Sequence, residues 1–227
     1  MSLRGCFVTG TDTGVGKTVL AAAIAAALHQ RGERVAVWKP VVTGLDEPDV
    51  GAWPADHEVL AAAVGGDPRH VTTATFGPAV SPHLAAQLAQ RTLDLGALAD
   101  GARAAAAGAD VLVVEGVGGL LVPFGDFDVR DPALALGLPL VVAARADLGT
   151  INHALLTIEA ARAAGLDVRA VVLTPWPPQP SVMQHSNRAT IARLGDVEVA
   201  TLAPTTPAAR DLARSGATLA FDGWLGP

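Results

Sequence analysis

The segment Gly10-Thr11-Asp12-Thr13-Gly14-Val15-Gly16-Lys17-Thr18 constrains this chain more than any other. It follows a short apolar run, Cys6-Phe7-Val8-Thr9, and leads straight into an Ala/Leu-rich stretch. Its glycines let successive backbone N–H groups curl around an anion, and the N-terminus of the following helix adds positive potential. Lys17 is placed to reach the β- and γ-phosphates of a nucleotide, and the Thr18 hydroxyl to ligate Mg²⁺. Five residues separate Gly10 from Gly16, one more than in the common phosphate-loop pattern. An ordinary Gly-rich strand–helix turn would not need Gly-Lys-Thr at the helix start.

The rest of the chain repeats the strand–helix alternation that such a loop requires. The pattern predicts a helix over Lys17–Gln30 stopped by Gly32, and a strand over Val35–Trp38. A polar, Pro/Gly-rich excursion over Thr43–Pro54 follows, then a helix from about Ala55 and an irregular stretch over Pro78–His83. Further helices are expected over Ala97–Ala107, Ile151–Ala164 and Ser181–Leu194. Further strands are expected over Asp110–Val114, Leu138–Ala143, Val168–Leu173 and Val197–Leu202. Pro175, Pro177, Pro178 and Pro180 force a loop. Apolar strands alternating with helices predict an α/β, doubly wound, mostly parallel sheet of the P-loop NTPase type. No repeat or linker divides residues 1–227, so one domain is expected. The Ala-rich stretches Leu20–Leu28 and Ala102–Ala109 read as buried helix faces.

Composition narrows the function. Half the residues are hydrophobic, which argues against disorder, and the net charge of -6 lacks the basic footprint of nucleic-acid binders. Cys6 is the one cysteine, so neither a disulfide framework nor a zinc set is expected. The chain runs into its first strand without a leader-like segment, and no apolar run reaches about 18 residues. These features lead to the expectation of a cytoplasmic protein that binds no membrane.

Three more positions carry chemistry. Glu115 ends the most apolar strand and precedes a second glycine loop, Gly116-Val117-Gly118-Gly119. In P-loop folds a carboxylate there faces the metal, and ligands gather beyond the carboxyl ends of the strands. Lys39, in Lys39-Pro40-Val41-Val42-Thr43-Gly44, ends the second strand and would point into the same crevice as Lys17; alone, it also fits a surface lysine. Asp56, at a helix start, fits a cap or dipole partner equally well. His70 and His83 read as structural, and no His/Cys cluster has metal spacing.

Together these segments resemble the dethiobiotin synthetase family over nearly the whole chain. The matching residues run from Val8 to Thr18, then Lys39-Pro40 with Thr43-Gly44, Ser81-Pro82-His83, Glu115-Gly116 with Gly118-Gly119-Leu120, and Asp147-Leu148-Gly149-Thr150-Ile151-Asn152-His153. The longer phosphate loop is that family's own variant.

The resemblance implies that ATP and carbon dioxide (or bicarbonate) act on 7,8-diaminononanoate. A carbamate forms on one amine, ATP phosphorylates it, and the second amine closes a urea ring and expels phosphate. It implies catalytic roles for Lys39, Lys17 and Thr13. It implies nucleotide contacts from Asp12, Thr13, Gly14, Val15, Gly16, Lys17, Thr18, Glu115, Thr174 and Pro204. Substrate contacts are implied for Thr13, Lys39, Thr43, Gly149, Ile151 and Asn152, the last three from a second subunit of a homodimer. Mg²⁺ is expected on Thr18, Asp56 and Glu115.

Two positions depart from the family. Gly14 stands where many relatives carry Glu, and Thr174 where many carry an Asn that reads adenine. Thr174 has only a hydroxyl for that edge, so base discrimination is expected to be weak, with pyrimidine nucleotides admitted. Two rival readings are an amide-forming P-loop ligase and a partition-type regulatory ATPase. The first usually brings a glutaminase Cys; here the sole Cys lies in the first strand. The second typically has an extra lysine early in the loop, where Thr11, Asp12 and Thr13 supply none.

Overall fold

The computed structural model of the chain describes residues 4–47 and 53–226. Residues 48–52, inside the expected excursion, and residues 1–3 ahead of the first strand lie outside the described part. Among the described residues six strands form one sheet: β1 (Gly5–Gly10), β2 (Val35–Trp38), β3 (Val111–Glu115), β4 (Leu140–Ala144), β5 (Val168–Leu173) and β6 (Glu198–Thr201). Their order is β2-β3-β1-β4-β5-β6, and every neighbouring pair is parallel. β1, β3 and β4 are buried at every position, which is why they read as unbroken apolar runs.

Among the described residues eight helices flank the sheet: α1 (Lys17–Gln30), α2 (Asp56–Ala63), α3 (Pro82–Leu88), α4 (Leu95–Ala105), α5 (Arg130–Leu136), α6 (Thr150–Ala163), α7 (Val182–Gly195) and α8 (Ala209–Gly216). Alternate strand residues feed two cores, one on each face of the sheet. Cys6, Val8, Val113 and Val141 pack with α1, α2 and α8; Phe7, Val114, Val142 and Leu173 pack with α4 to α7.

The first Ala-rich stretch is buried on all sides, not on one face: every residue from Leu20 to Leu28 is enclosed. Small side chains permit this, because α8 closes over α1. Gly216 makes the contact possible, since a Cβ there would stand 2.0 Å from Ala23 O. The second stretch behaves otherwise; Ala104 and Ala107 are exposed, and α4 ends at Ala105.

The expected strands and the helices α1, α2, α4, α6 and α7 are all found, with shifts of a few residues at their ends. β4 starts at Leu140, because Pro139 precedes it and has no N–H to donate. Ser181 is the N-cap of α7, not its first residue, and its side chain accepts from Gln184 N. The stretch over Pro78–His83 is not wholly irregular, since Pro82 opens α3. α5 and α8 were not foreseen. Each is only a few residues long, too short to show a periodic pattern, and is held by packing. Among the described residues no helix is long and apolar enough to cross a membrane.

Candidate active site

Three connections at the carboxyl ends of β1, β2 and β3 bring distant residues to one point. Thr18 is the second residue of α1, Lys39 follows β2, Glu115 ends β3 and Asp56 opens α2. The Thr18 hydroxyl lies 2.8 Å from Asp56 Oδ1 and 2.9 Å from Glu115 Oε1. Lys39 Nζ lies 2.6 Å from Glu115 Oε1 and 3.0 Å from Asp56 Oδ2. It is also 3.4 Å from Gly116 O. The Lys39 and Glu115 side chains are only 3% and 1% exposed, while Asp56 is 46% exposed at the mouth. Lys39 owes its position to the backbone. Its N–H donates to Val71 O, and the following segment is pinned by Val42 N–H to Ala74 O and Phe76 N–H to Val42 O.

The phosphate loop is wound as the glycine spacing requires. Gly16 has φ +88, a conformation closed to most side chains, and is the N-cap of α1. Lys17 Nζ donates to Asp12 O at 2.8 Å, arching over the loop. The Asp12 carboxylate accepts from Thr13 N–H at 2.7 Å and faces Arg145 at 3.9 Å.

The charges shape one another. Burial pushes the Lys17 ammonium down to about 8, and Lys39 adds to this, against Glu115, Asp56 and Asp12. Burial is also the largest influence on Lys39 and opposes its charge. The carboxylates of Glu115 and Asp56 outweigh it and hold Lys39 above its ordinary value. Burial favours neutral Asp56, yet Lys39, Thr18 and Lys17 prevail and keep it below the usual range. Burial, aided by the like charge of Asp56, pushes Glu115 up against the pull of Lys39 and Lys17.

A cavity of about 820 Å³ opens in front of this cluster. Thr13, Gly14, Gly16, Lys17, Thr18, Lys39, Thr43, Asp56 and Glu115 line it, so most of the expected phosphate, metal and substrate positions meet there. Val41, Trp53, Val80, Pro82, Val117 and Val122 line the rest of its wall, with Ser81 among them. Sequence reasoning missed that wall, because isolated valines and prolines in loops carry no periodic signal. Val15 is buried in the core, so only its backbone is open to a ligand.

The other expected contacts lie outside the cavity. Thr174 is buried after β5, its methyl group turned toward Gly16; a Cβ on Gly16 would stand 2.7 Å from Thr174 Cγ2. Pro204 is exposed after β6. Gly149, Ile151 and Asn152 sit at the start of α6; Gly149 and Asn152 are exposed, and Ile151 is half-buried against the core. Among the described residues no group of three or more His, Cys, Asp or Glu could hold a metal. The oxygen donors of Thr18, Asp56 and Glu115, only two of them carboxylates, nevertheless suit a hard cation that keeps waters and takes phosphate oxygens. Glu115 Oε2 fits that role, being buried with no hydrogen-bond partner.

The chain is similar to known proteins along its length. A family model described as an AAA domain matches residues 4–210. A protein described as ATP-dependent dethiobiotin synthetase BioD from Anaeromyxobacter dehalogenans (strain 2CP-C) is 41% identical over 220 residues, covering 96% of this chain and 96% of the relative. One of the same description from Rhodococcus erythropolis (strain PR4 / NBRC 100887) is 38% identical over 202 residues, with 87% and 86% covered. Among solved structures, a ParA family ATPase from Chlorobium tepidum TLS superposes with a TM-score of 0.52 at 13% identity, over 95% of this chain and 89% of that one. Chloroplast FtsY from Physcomitrella patens gives 0.51 at 14%, over 95% of this chain and 65% of its own. At such low identity these two likenesses speak for the fold alone.

Proposed function

The chain belongs to the family of ATP-dependent dethiobiotin synthetases, and from that premise we propose how its cavity joins carbon dioxide to a diamine. It is an ATP-dependent ligase of biotin biosynthesis that forms carbon–nitrogen bonds. The substrate is 7,8-diaminononanoate, whose alkyl part suits the wall of Val41, Trp53, Val80, Pro82 and Val122. One amine takes up carbon dioxide as a carbamate, ATP phosphorylates it, and the second amine displaces phosphate to close the urea ring. The observation that carries this reading is the meeting of Lys17, Lys39, Thr18, Asp56 and Glu115 at one end of an otherwise apolar cavity. Such a site places two ammonium groups and a pair of metal-suited carboxylates where phosphoryl transfer needs them, against an apolar wall that limits water around a reactive anhydride.

Lys17 and the loop from Asp12 to Thr18 hold the phosphates. Lys39 stabilises charge on the carbamate and the transferring phosphoryl group, and Thr13 and Thr43 orient the carbamate. Thr18, Asp56 and Glu115 would hold Mg²⁺, which when bound neutralises phosphate charge. Thr174 and the stretch through Pro204 meet the nucleotide base.

The distant carboxylate of the substrate is assigned to Gly149, Ile151 and Asn152 of a second copy, at the N-terminus of α6, whose backbone N–H groups and helix dipole suit an anion. Leu121 and Leu156, 57% and 56% exposed, line one groove with Thr11, Asp12 and His153, which supports a homodimer packed over this face. A cytoplasmic setting agrees with the single, buried cysteine.

The deciding experiment measures ATP cleavage by the purified chain with and without diamine and bicarbonate, with the product identified by mass. Strict dependence on both and a cyclic urea product are expected. ATP turnover indifferent to the diamine would favour the partition-type switch.

A further inference from the structure

We propose that Ser81 and His83 form the outlet for the protons that the reaction releases, with the Ser81 hydroxyl meeting the reacting amine and His83 Nδ1 accepting through it. This rests on the ring-closing reaction above.

Ser81 is the N-cap residue of α3. A serine there ordinarily accepts a hydrogen bond from an N–H of the first turn. Ser81 makes no such bond; its Oγ lies 2.9 Å from His83 Nδ1. The two residues open on different spaces. Ser81 lines the central cavity with Lys39 and Thr43, whereas His83 is exposed and lines a separate groove with Arg91, Asp94, Phe124 and Asp126. The pair therefore crosses the wall between cavity and solvent. His83 N–H donates to Pro123 O at 3.3 Å, which fixes the backbone that carries the ring.

The chemistry requires such an outlet. Alkyl amines are ammonium ions at neutral pH, much like lysine. Each nitrogen starts as an ammonium and ends as a urea N–H, so two protons leave each one. In the first bond formation the amine lone pair attacks carbon dioxide, and the nitrogen sheds a proton to become the carbamate. In ring closure the second amine attacks the activated carbon and the C–O bond breaks. Its electron pair leaves with phosphate, and the attacking nitrogen sheds a proton. At each release Ser81 Oγ takes the proton from nitrogen while passing its own to His83 Nδ1, with Nε2 carrying the ring's other hydrogen. The imidazolium then discharges into the groove.

No other group in the cavity wall serves as well. Lys17 and Lys39 are cations, and Asp56 and Glu115 already accept from Lys39 and Thr18. Of the remaining hydroxyls there, those of Thr13 and Thr43, neither has a base in hydrogen-bond contact among the described residues. The charged groups facing His83 across its groove are Arg91, Asp94 and Asp126, and α3 itself adds only neutral Gln87. On the Ser81 side stand Lys17, Lys39, Asp56 and Glu115.

The test measures kcat/KM for the diamine in the intact protein from about pH 6 to pH 9, for His83→Ala and Ser81→Ala, with and without added imidazole. A loss of about 100-fold near neutrality is expected for each variant. His83→Ala should also show a shallower fall in rate on the acid side, keeping only the part set by the substrate's own ammonium groups, and imidazole should restore part of its activity. Imidazole should not rescue Ser81→Ala, which lacks the bridging hydroxyl. The affinity of either variant for an ATP analogue should stay unchanged. A His83→Ala protein with the original rate and pH profile overturns the proposal, as does a loss that imidazole leaves untouched. An original protein that cleaves no ATP in response to diamine and bicarbonate would instead overturn the ring-closing reading beneath it.

Discussion

The carboxyl ends of β2, β3 and β1 carry Lys39, Glu115 and the phosphate loop, whereas those of β5 and β6 carry Thr174-Pro175-Trp176 and Leu202-Ala203-Pro204. The first half holds its geometry with charge: Lys39, two carboxylates and the Thr18 hydroxyl are linked at 2.6 to 3.0 Å, and Lys17 is tied to Asp12 O at 2.8 Å. The second half holds its geometry with backbone and packing, as in Trp176 N–H to Leu202 O at 2.8 Å and the Thr174 methyl turned to Gly16. A charged cluster fails when one member is removed, because its neighbours remain buried and uncompensated. A surface of methyls and carbonyls tolerates exchange, because its contacts are individually weak. On the proposed reading, the first half is strict toward phosphate and the second lenient toward the base.

The strict half is where substitutions should cost most. Lys17→Ala is expected to abolish turnover while the melting temperature stays close to that of the original protein. Full activity in a well-folded variant would remove Lys17 from the site. Lys39→Gln is expected to lower kcat by about 100-fold or more with little change in the KM for ATP. Substitution of Lys39 also leaves Glu115 buried without its cation, so the variant's fold should be checked by circular dichroism. A change confined to the KM for ATP would show Lys39 to be only a binding contact.

The metal arm of the same half comes next. Asp56→Asn should raise the Mg²⁺ concentration needed for half-maximal turnover. Mn²⁺ binding followed by electron paramagnetic resonance in the presence of nucleotide should weaken in parallel. An unchanged Mn²⁺ affinity would break the assignment, and Asp56 would then be only an ion-pair partner of Lys39 in the first turn of α2.

The lenient half predicts smaller effects. The kcat/KM values for ATP, GTP and CTP should lie within about a hundredfold of one another. Thr174→Asn should sharpen the preference for ATP by up to about tenfold, the worth of one added hydrogen bond. An ATP preference well beyond that range in the original protein would mean that backbone groups read the base and residue 174 is incidental.

The smallest effect concerns β1, the strand that both halves share. Cys6 is wholly buried, and burial pushes its thiol up to about 12. A raised value keeps the sulfur protonated, so at about pH 8 a thiol reagent should not modify the folded protein and should react once denaturant exposes the strand. Rapid labelling of the native protein would mean that β1 opens readily, and that the two halves are less firmly joined than the sheet suggests.

Some of this was open to sequence alone. The phosphate loop was legible because its chemistry is local: the glycines, Lys17 and Thr18 are neighbours in the chain, and any chain that places them between a buried strand and a helix presents the same N–H groups. Glu115 was legible because a buried strand must end in the crevice, and Lys39 for the same reason. Only the tertiary structure decided what these residues touch. Thr18 meets Glu115 across 97 positions of sequence, and Asp56 reaches Thr18 and Lys39 from the start of α2. Strand order, the apolar wall, the closure of α8 over α1 and the Ser81–His83 contact came the same way. These depend on which crossovers and packings win in the folded state, and the energies that decide between them come from contacts between segments, which a local pattern of residue types does not encode.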